Sequence, residues 1–141
     1  MIKKFILDAG PLGRIAHPQA NAEVTRKLKA LLEQDATIII SEISDYEIRR
    51  SLLLEGLTQS VEKLDRLQQV LSFLPLTSDA MRQAAEFWAR IRRRHKRTAD
   101  DKALDGDVIL AAQAFLIDAT VITENAKHLD QFVPVVQWQE L

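Results

Sequence analysis

Acidic side chains recur beside the apolar runs that predict strands and helices in this sequence. Asp8 directly follows the first apolar run, Glu47 comes soon after the second, and Asp107 stands directly before the most apolar stretch of the chain. Carboxylates without cysteine or histidine beside them form the hard oxygen sites that Mg²⁺ and Mn²⁺ prefer. The three acids therefore predict a site for Mg²⁺ or Mn²⁺, provided that the fold brings them to one place.

Three further polar residues stand near these acids and are secondary candidates for metal ligands. Asp105 is two residues before Asp107, and Glu124 and Asn125 follow another apolar run. All three side chains carry oxygen donors, although an asparagine contributes no negative charge.

Each acid also has a purely structural explanation. Ser44 and Glu47 have the spacing of a capping box, in which Glu47 only satisfies backbone amides. Asp105 fits the N-cap of a helix that begins near Gly106, and Asp8 fits a turn after a strand. The metal-site hypothesis depends on the coincidence that three separate elements each bring an acid to the same predicted edge.

The elements that must position these acids alternate along the chain. Short apolar or β-branched runs predict strands at 5–7, 37–40, 73–76, 120–123 and 135–138. Helical spacing predicts helices at 21–33, 41–56, 61–71, from 77 into the basic cluster at 92–97, and at 108–117, with a turn at 8–11 and a loop at 98–106. This alternation predicts an α/β fold with a mostly parallel central sheet between two layers of helices. Ligands of such sheets bind beyond the carboxyl ends of the strands, where the acids are expected.

Length and composition restrict the class of protein. A chain of 141 residues fits a single domain spanning 1–141. The absence of cysteine excludes disulfides, thiolate zinc sites and a cysteine nucleophile. The apolar stretch near the N-terminus is too short for a signal peptide or a membrane span, so we expect a cytoplasmic protein without a membrane partner.

A basic cluster at residues 92–97 has two interpretations. Its arginines, histidine and lysine can contact phosphates, or they can form the solvated C-terminal end of a helix, where cations are favoured. Both interpretations remain open at this point.

Four segments of the chain, in order and at plausible separations, resemble the signature segments of PIN-domain nucleases of the VapC toxin type. They are Phe5-Ile-Leu-Asp-Ala-Gly-Pro-Leu12, Ser41-Glu-Ile-Ser-Asp-Tyr-Glu-Ile-Arg-Arg50, Leu104-Asp-Gly-Asp-Val-Ile-Leu-Ala-Ala-Gln-Ala114 and Val121-Ile-Thr-Glu-Asn-Ala-Lys-His-Leu129. The resemblance implies a PIN-like fold, metal-binding acids at Asp8, Glu47 and Asp107, and a fourth polar position at Asn125.

The resemblance also implies an activity and partners. The expected activity is metal-dependent endoribonuclease cleavage of RNA by the toxin of a toxin–antitoxin pair, with a cognate antitoxin and a homodimeric state. In this chemistry Asp8 and Asp107 would bind the metal ion, while Glu47 would bind it or orient the attacking water. Self-association also agrees with the many apolar residues on the helices between residues 60 and 91, although these residues equally fit a core.

Two departures from the family pattern leave an alternative open. Ala9 and Gly10 stand where many members have hydroxyl or amide side chains, and Asn125 stands where many have an aspartate. A second metal ion would then be held less tightly, with Glu124 or Asp105 as possible substitutes. The alternative function is a catalytically weak PIN-fold protein that mainly binds RNA or another protein.

Overall fold

The computed structural model of the protein describes residues 2–17, 19, 21–94, 101–126 and 129–141. The predictions that fall on residues 95–100, Lys127 and His128 lie outside these ranges, including the second half of the basic cluster.

Five parallel strands form the sheet of the described chain. They are β1 (Lys4–Leu7), β2 (Thr37–Ser41), β3 (Ser72–Leu74), β4 (Thr120–Thr123) and β5 (Val135–Gln137), in the order β3-β2-β1-β4-β5. Every pairing is parallel, with Leu7 opposite Ile40 on one side and opposite Ile122 on the other. The mostly parallel sheet predicted from the sequence is confirmed.

Within the residues that the structure describes, six α-helices and two short 3₁₀-helices connect and follow these strands. The α-helices are α1 (Ala9–Ala16), α2 (Ala22–Glu33), α3 (Glu42–Leu54), α4 (Thr58–Val70), α5 (Ser78–Arg94) and α6 (Asp101–Ile117); the 3₁₀-helices are Leu129–Gln131 and Trp138–Glu140. None of the helices in the described ranges combines the length and the apolar content that crossing a bilayer would require.

The alternation of side chains along the strands divides the core into two parts. Ile6 packs on one face of the sheet with residues of α5 and α6 such as Phe87 and Val108. Leu7 packs on the opposite face with residues of α1 and α4 such as Leu12 and Leu64. Successive strand residues point to opposite faces of the sheet. Helices cover both of these faces, so the architecture is a three-layer α/β/α sandwich.

The turn predicted at residues 8–11 is wrong, because helix α1 begins there. Asp8 has extended backbone geometry and acts as the N-cap of α1, with its side chain accepting a hydrogen bond from the amide of Ala9. Pro11 falls in the first helical turn, where the missing amide hydrogen carries no cost. Gly10 and Pro11, which suggested a turn after the strand, therefore lie in the first turn of a helix.

The predicted loop at 98–106 is also wrong where the structure describes it, because α6 already begins at Asp101. Leu104 is fully buried and extends the apolar stripe of Val108 and Ala111 by one turn, which explains why the helix continues towards the N-terminus. Asp105 is therefore inside α6, and its predicted role as N-cap is wrong. The capping box predicted at Ser44 is wrong for the same kind of reason, since Ser41 is the N-cap of α3.

The direction in which the chain adds strands to the sheet reverses beside β1. From β1 the chain builds outward through β2 to β3, then returns to add β4 and β5 on the other side of β1. In open parallel sheets ligands bind outside the carboxyl ends of the two strands that flank such a reversal. Here these strands are β1 and β4, which end at Leu7 and Thr123.

Candidate active site

Asp8 lies at the strand-order reversal and is held there by two hydrogen bonds. Its Oδ1 accepts from the amide of Ala9 at 2.8 Å, and its Oδ2 accepts from the Thr123 hydroxyl at 2.6 Å. Its own amide donates to the carbonyl of Ile122 at 2.9 Å. Each carboxylate oxygen keeps a second lone pair, so these bonds orient the group without using up its acceptor capacity.

Thr123 is a residue that the sequence reasoning missed. It is buried at the end of β4, donates to Asp8, and accepts a hydrogen bond from the amide of Asn125 at 3.2 Å. One hydroxyl therefore connects the acid after β1 to the loop after β4. The sequence contained a sign of this role. Thr123 ends the strand predicted at 120–123, and a hydroxyl at the end of one strand can reach an acid at the end of a neighbouring strand.

Glu47 lies in the second turn of α3 and reaches helix α6. A Cβ atom on residue 106 would lie only 2.6 Å from Oε1 of Glu47, so the carboxylate occupies space that exists because residue 106 is glycine. Residues 105–107 carry an acid on each side of this glycine, and we call them the acid turn. The structure thus brings Glu47 directly against the segment that holds Asp105 and Asp107.

Asp107 and Asp105 differ in exposure within the acid turn. Asp105 is exposed, whereas Asp107 is partly buried and Val108 beside it is buried in the core. Both are interior residues of a 17-residue helix, so neither carboxylate is needed to cap its N-terminus. The structural explanation offered for Asp105 from the sequence is thereby removed.

The three predicted acids are not gathered into a closed metal site. Within the described ranges, no group of three or more aspartate, glutamate or histidine side chains is arranged so that it could hold a metal ion. The donor chemistry nevertheless fits Mg²⁺ or Mn²⁺, because carboxylates on three neighbouring elements supply only hard oxygen ligands. Asp8 is fixed by its hydrogen bonds, and the Glu47 carboxylate lies at the far end of a flexible side chain.

Glu124, a secondary candidate, belongs to a different environment. Its carboxylate accepts hydrogen bonds from Arg14 Nε and, at 3.3 Å, from Trp138 Nε1. The hydrogen bond to Glu124 raises the pKa of the Arg14 guanidinium above its ordinary value. Atoms of Glu124 also lie 2.9 Å from the position of a Cβ on Gly10, so this glycine makes room for the ion pair.

Beside these carboxylates a cleft of about 500 Å³ opens between α1 and α3. Gly10, Gly13 and Arg14 line one wall, and Ile48 and Ser51 line the other. The size is within the range of small-molecule sites in proteins. Glu124 lines this cleft, whereas Asp8, Glu47 and Asp107 do not.

The arginines near the signature segments differ in how they are engaged. Arg49 makes ion pairs with Asp45 at 3.0 Å and Asp65 at 2.8 Å, and the hydrogen bond to Asp45 raises its pKa. It therefore ties α3 to α4. Arg50, one residue further on, is exposed and lies over the ring of Tyr46.

Comparison with known proteins gives one family and a set of similar folds. A family model described as the PIN domain matches residues 6–132. No curated protein sequence matches the chain.

Three solved structures illustrate the similarity of fold. VapBC2 from Rickettsia felis, bound to a DNA fragment from the promoter, has a TM-score of 0.77 at 19% identity, covering 96% of this chain and 98% of that one. DNA-bound VapBC from Salmonella typhimurium has a TM-score of 0.71 at 17% identity, with 98% and 99% covered. FitAcB from Neisseria gonorrhoeae has a TM-score of 0.64 at 23% identity, with 97% and 99% covered.

Proposed function

The chain belongs to the PIN domain family, and from this premise we propose that it is an endoribonuclease that hydrolyses RNA phosphodiester bonds with Mg²⁺ or Mn²⁺. PIN domains are generally nucleases. The choice of RNA over DNA comes from the resemblance to VapC-type toxins, and the choice of metal comes from the oxygen-only donor set.

The observation that carries this proposal is the contact between Glu47 and the acid turn. The Glu47 carboxylate from α3 lies against residue 106 of α6, which is a glycine with an aspartate on each side of it in the sequence. A divalent cation bound here would draw its ligands from both helices, because α3 and α6 each bring an acid to this contact. Asp8, fixed at the strand-order reversal, supplies the remaining ligand in this proposal.

Each acid then has a separate role. Asp8 and Asp107 are ligands of the metal ion, and the Thr123 hydroxyl keeps the Asp8 carboxylate oriented. Glu47 either completes the ligand set or accepts the proton of the attacking water. A bound divalent ion supplies polarisation of the phosphate and lowers the pKa of water. Asp105, Glu124 and Asn125 stay secondary candidates, with Glu124 last because Arg14 already neutralises it.

The proposed biological setting is a toxin–antitoxin pair in the cytoplasm. The similar structures include VapBC and FitAcB complexes, which supports a small antitoxin protein as the partner of this chain. We also propose a homodimer. Of the apolar residues on α4 and α5 that suggested self-association, Leu64 and Phe87 are core residues, whereas Trp88 is exposed.

A second function remains in competition because of Asn125 and the open arrangement of the acids. A PIN-fold protein with weak catalysis could act mainly by binding RNA or a protein. One experiment separates the two functions: titration of the purified chain with Mg²⁺ and Mn²⁺ by calorimetry, combined with cleavage of a single RNA substrate with and without each ion. Binding and metal-dependent cleavage support the nuclease. RNA or protein binding without metal binding at millimolar concentration supports the alternative.

A further inference from the structure

A short segment after β3 is hydrogen-bonded to the start of α3. It consists of residues 74–76, runs from the carboxyl end of β3 towards α5, and we call it the connector. Glu42, the first residue of α3, is half-buried and accepts a hydrogen bond through Oε1 from the amide of Leu76 at 2.8 Å. Leu74 lies opposite Ser41, the N-cap of α3, in the pairing of β3 with β2. Helix α3 therefore begins against the connector.

Helix α6 is hydrogen-bonded to the same connector through Gln113. The Nε2 atom of Gln113 donates to the carbonyl of Leu74 at 3.1 Å and to the carbonyl of Pro75 at 3.3 Å. The residues joined by these bonds and by the bond to Glu42 are 34 to 39 positions apart in the sequence. The connector is thus a shared anchor of the two helices that carry Glu47 and Asp107.

Stability alone does not explain a glutamine at position 113. Gln113 is 2% exposed, and its neighbours Ala112 and Ala114 in the apolar part of α6 are fully buried. Its Oε1 is also buried and has no hydrogen-bond partner among the residues that the structure describes. A buried polar atom without a partner costs free energy that an apolar side chain of similar size would avoid. The hydrogen bonds to the connector are what such an apolar side chain could not provide.

Both anchors are close along their helices to the proposed catalytic acids. Glu42 precedes Glu47 by five positions, and Gln113 follows Asp107 by six. At about 1.5 Å per residue, each anchor lies about 8 to 9 Å along the helix axis from its acid. A helix that shifts at its anchor therefore also shifts its acid. Such a shift would alter the close contact between the Glu47 carboxylate and Gly106 of the acid turn.

We infer that Glu42 and Gln113 are positioning residues, which hold α3 and α6 on the connector at the separation that brings Glu47 to the acid turn. The inference rests on the proposed function, because it assigns both residues to the placement of the metal-binding acids. Neither residue contacts the metal ion or the RNA in this assignment. It also explains a buried glutamine whose second polar atom has no partner among the described residues.

The experiment measures Mn²⁺ affinity by calorimetry, and the single-turnover rate of RNA cleavage at saturating Mn²⁺ over a range of RNA concentrations. Glu42→Ala, Gln113→Leu and the double variant remove the hydrogen bonds to the connector. Glu42→Gln is the conservative variant, because its carbonyl oxygen can still accept from the Leu76 amide. The matched control is Gln68→Leu, which removes a glutamine hydrogen bond of 2.6 Å from α4 to Asp45 of α3.

Glu42→Ala and Gln113→Leu should each weaken Mn²⁺ binding and slow cleavage about 10-fold. A shift of about 1 Å at a catalytic group costs on the order of 10²-fold, and loss of one anchor should shift the acid by less. The RNA concentration that gives half of the maximal rate should stay unchanged. Glu42→Gln and Gln68→Leu should behave as the unsubstituted chain. The double variant should lose little more than the larger single loss, because both residues act through one connector.

Melting curves identify the variants that are folded at the assay temperature, and only those are compared. Unchanged Mn²⁺ affinity and rate in folded Glu42→Ala and Gln113→Leu would show a merely structural role and overturn the inference. So would an equal loss in Gln68→Leu, a loss in Glu42→Gln as large as that in Glu42→Ala, or single losses that multiply in the double variant. If Glu42→Ala does not fold, the comparison of Gln113→Leu with Gln68→Leu decides the outcome.

Failure of the positioning role is distinguishable from failure of the proposed function. If the unsubstituted chain binds Mn²⁺ and cleaves RNA, and the folded connector variants do so equally well, only the positioning role is wrong. If the unsubstituted chain neither binds Mn²⁺ nor cleaves RNA, the proposed function is wrong and the positioning role with it.

Discussion

Two glutamates of this protein lie against glycines, and the surroundings of the two contacts differ. Glu124 lies against Gly10 and is hydrogen-bonded by Arg14 and Trp138, so its charge is compensated within the protein. Glu47 lies against Gly106, whose neighbours on both sides are aspartates. The first contact is an ion pair that joins α1 to the loop after β4, whereas the second places a carboxylate of α3 against a segment of α6 that carries two aspartates.

The comparison shows why an acid near a strand end is not by itself evidence of catalysis. Glu124 directly follows β4, which made it a candidate from the sequence, yet its partners explain its presence structurally. Glu47 is several residues beyond β2, and the contact with the acid turn is what distinguishes it. The predictions below test this difference, from the largest expected effect to the smallest.

The largest effect is expected for Asp107→Asn, which removes one charge from the acid turn. Loss of a metal ligand should cost several kcal/mol of transition-state stabilisation, or about 10³-fold in the rate of RNA hydrolysis with Mn²⁺. Asp107 is interior to α6, and asparagine and aspartate have similar helix propensities, so the melting temperature should change little. The comparison is Asp105→Asn two residues earlier, a secondary candidate at an exposed position, for which a smaller loss of activity is expected. Full activity of folded Asp107→Asn would show that Asp107 is not a metal ligand.

A smaller but diagnostic effect is expected when the two glutamates are compared directly. Glu47→Gln should reduce hydrolysis about 10²-fold or more, whether the residue binds metal or accepts a proton. Glu124→Gln, the matched change at the compensated carboxylate, should leave the rate near that of the unsubstituted chain. The measurement is the single-turnover rate on one RNA substrate at saturating Mn²⁺. Equal losses in the two variants would mean that the ion pair with Arg14 does not exclude Glu124 from the chemistry.

The parts of this site that the sequence predicted are those that depend on the order of elements. Alternating strands and helices were sufficient to predict a parallel sheet, and parallel strands necessarily place their carboxyl ends at one edge, which located Asp8. The helical interiors of α2 and α3 followed from apolar spacing in the same way. These features are consequences of local patterns that repeat over many residues.

The parts that the sequence did not predict depend on contacts between distant elements. The start of α6 was missed because residues 101–106 are mostly polar, and only the burial of Leu104 against the rest of the core extends the helix. The roles of Gly10 and Gly106 were also missed. A glycine that makes room for a carboxylate from another helix has no signature in its own neighbourhood, because the carboxylates it admits lie far away in sequence.

A third prediction uses these glycines to move each carboxylate without changing it. Gly106→Ala places a methyl group 2.6 Å from the position of Glu47 Oε1, so the flexible Glu47 side chain must move. A displacement of about 1 Å at a catalytic group can cost on the order of 10²-fold in rate. Alanine is about 1 kcal/mol more favourable than glycine inside a helix, so the variant should cleave more slowly by that factor and yet be no less stable.

The matched control for that variant is Gly10→Ala, which displaces Glu124 instead. Hydrolysis should be largely kept, because Glu124 is the last of the secondary candidates and its carboxylate already pairs with Arg14. Melting curves and cleavage rates of both variants should therefore separate, with cleavage slowed only in Gly106→Ala. A Gly106→Ala protein that cleaves RNA normally would show that the observed position of Glu47 is unimportant.

The smallest effect is expected for the ion pair itself. Arg14 and Glu124 are both partly exposed, at 44% and 31% of their side-chain surface, and solvent-exposed pairs contribute only about 0 to 1 kcal/mol. A double-mutant cycle with Arg14→Gln, Glu124→Gln and both changes together, followed by urea unfolding, should give a coupling free energy within that range. Raising the salt concentration should reduce the coupling further, because exposed charges are screened.

A coupling well above this range would show that Glu124 and Arg14 act as a buried structural pair, which would make the contrast with Glu47 stronger. A coupling of zero with normal cleavage in all three variants would show that the pair contributes neither stability nor chemistry, so that Gly10 would make room for a contact without measurable effect.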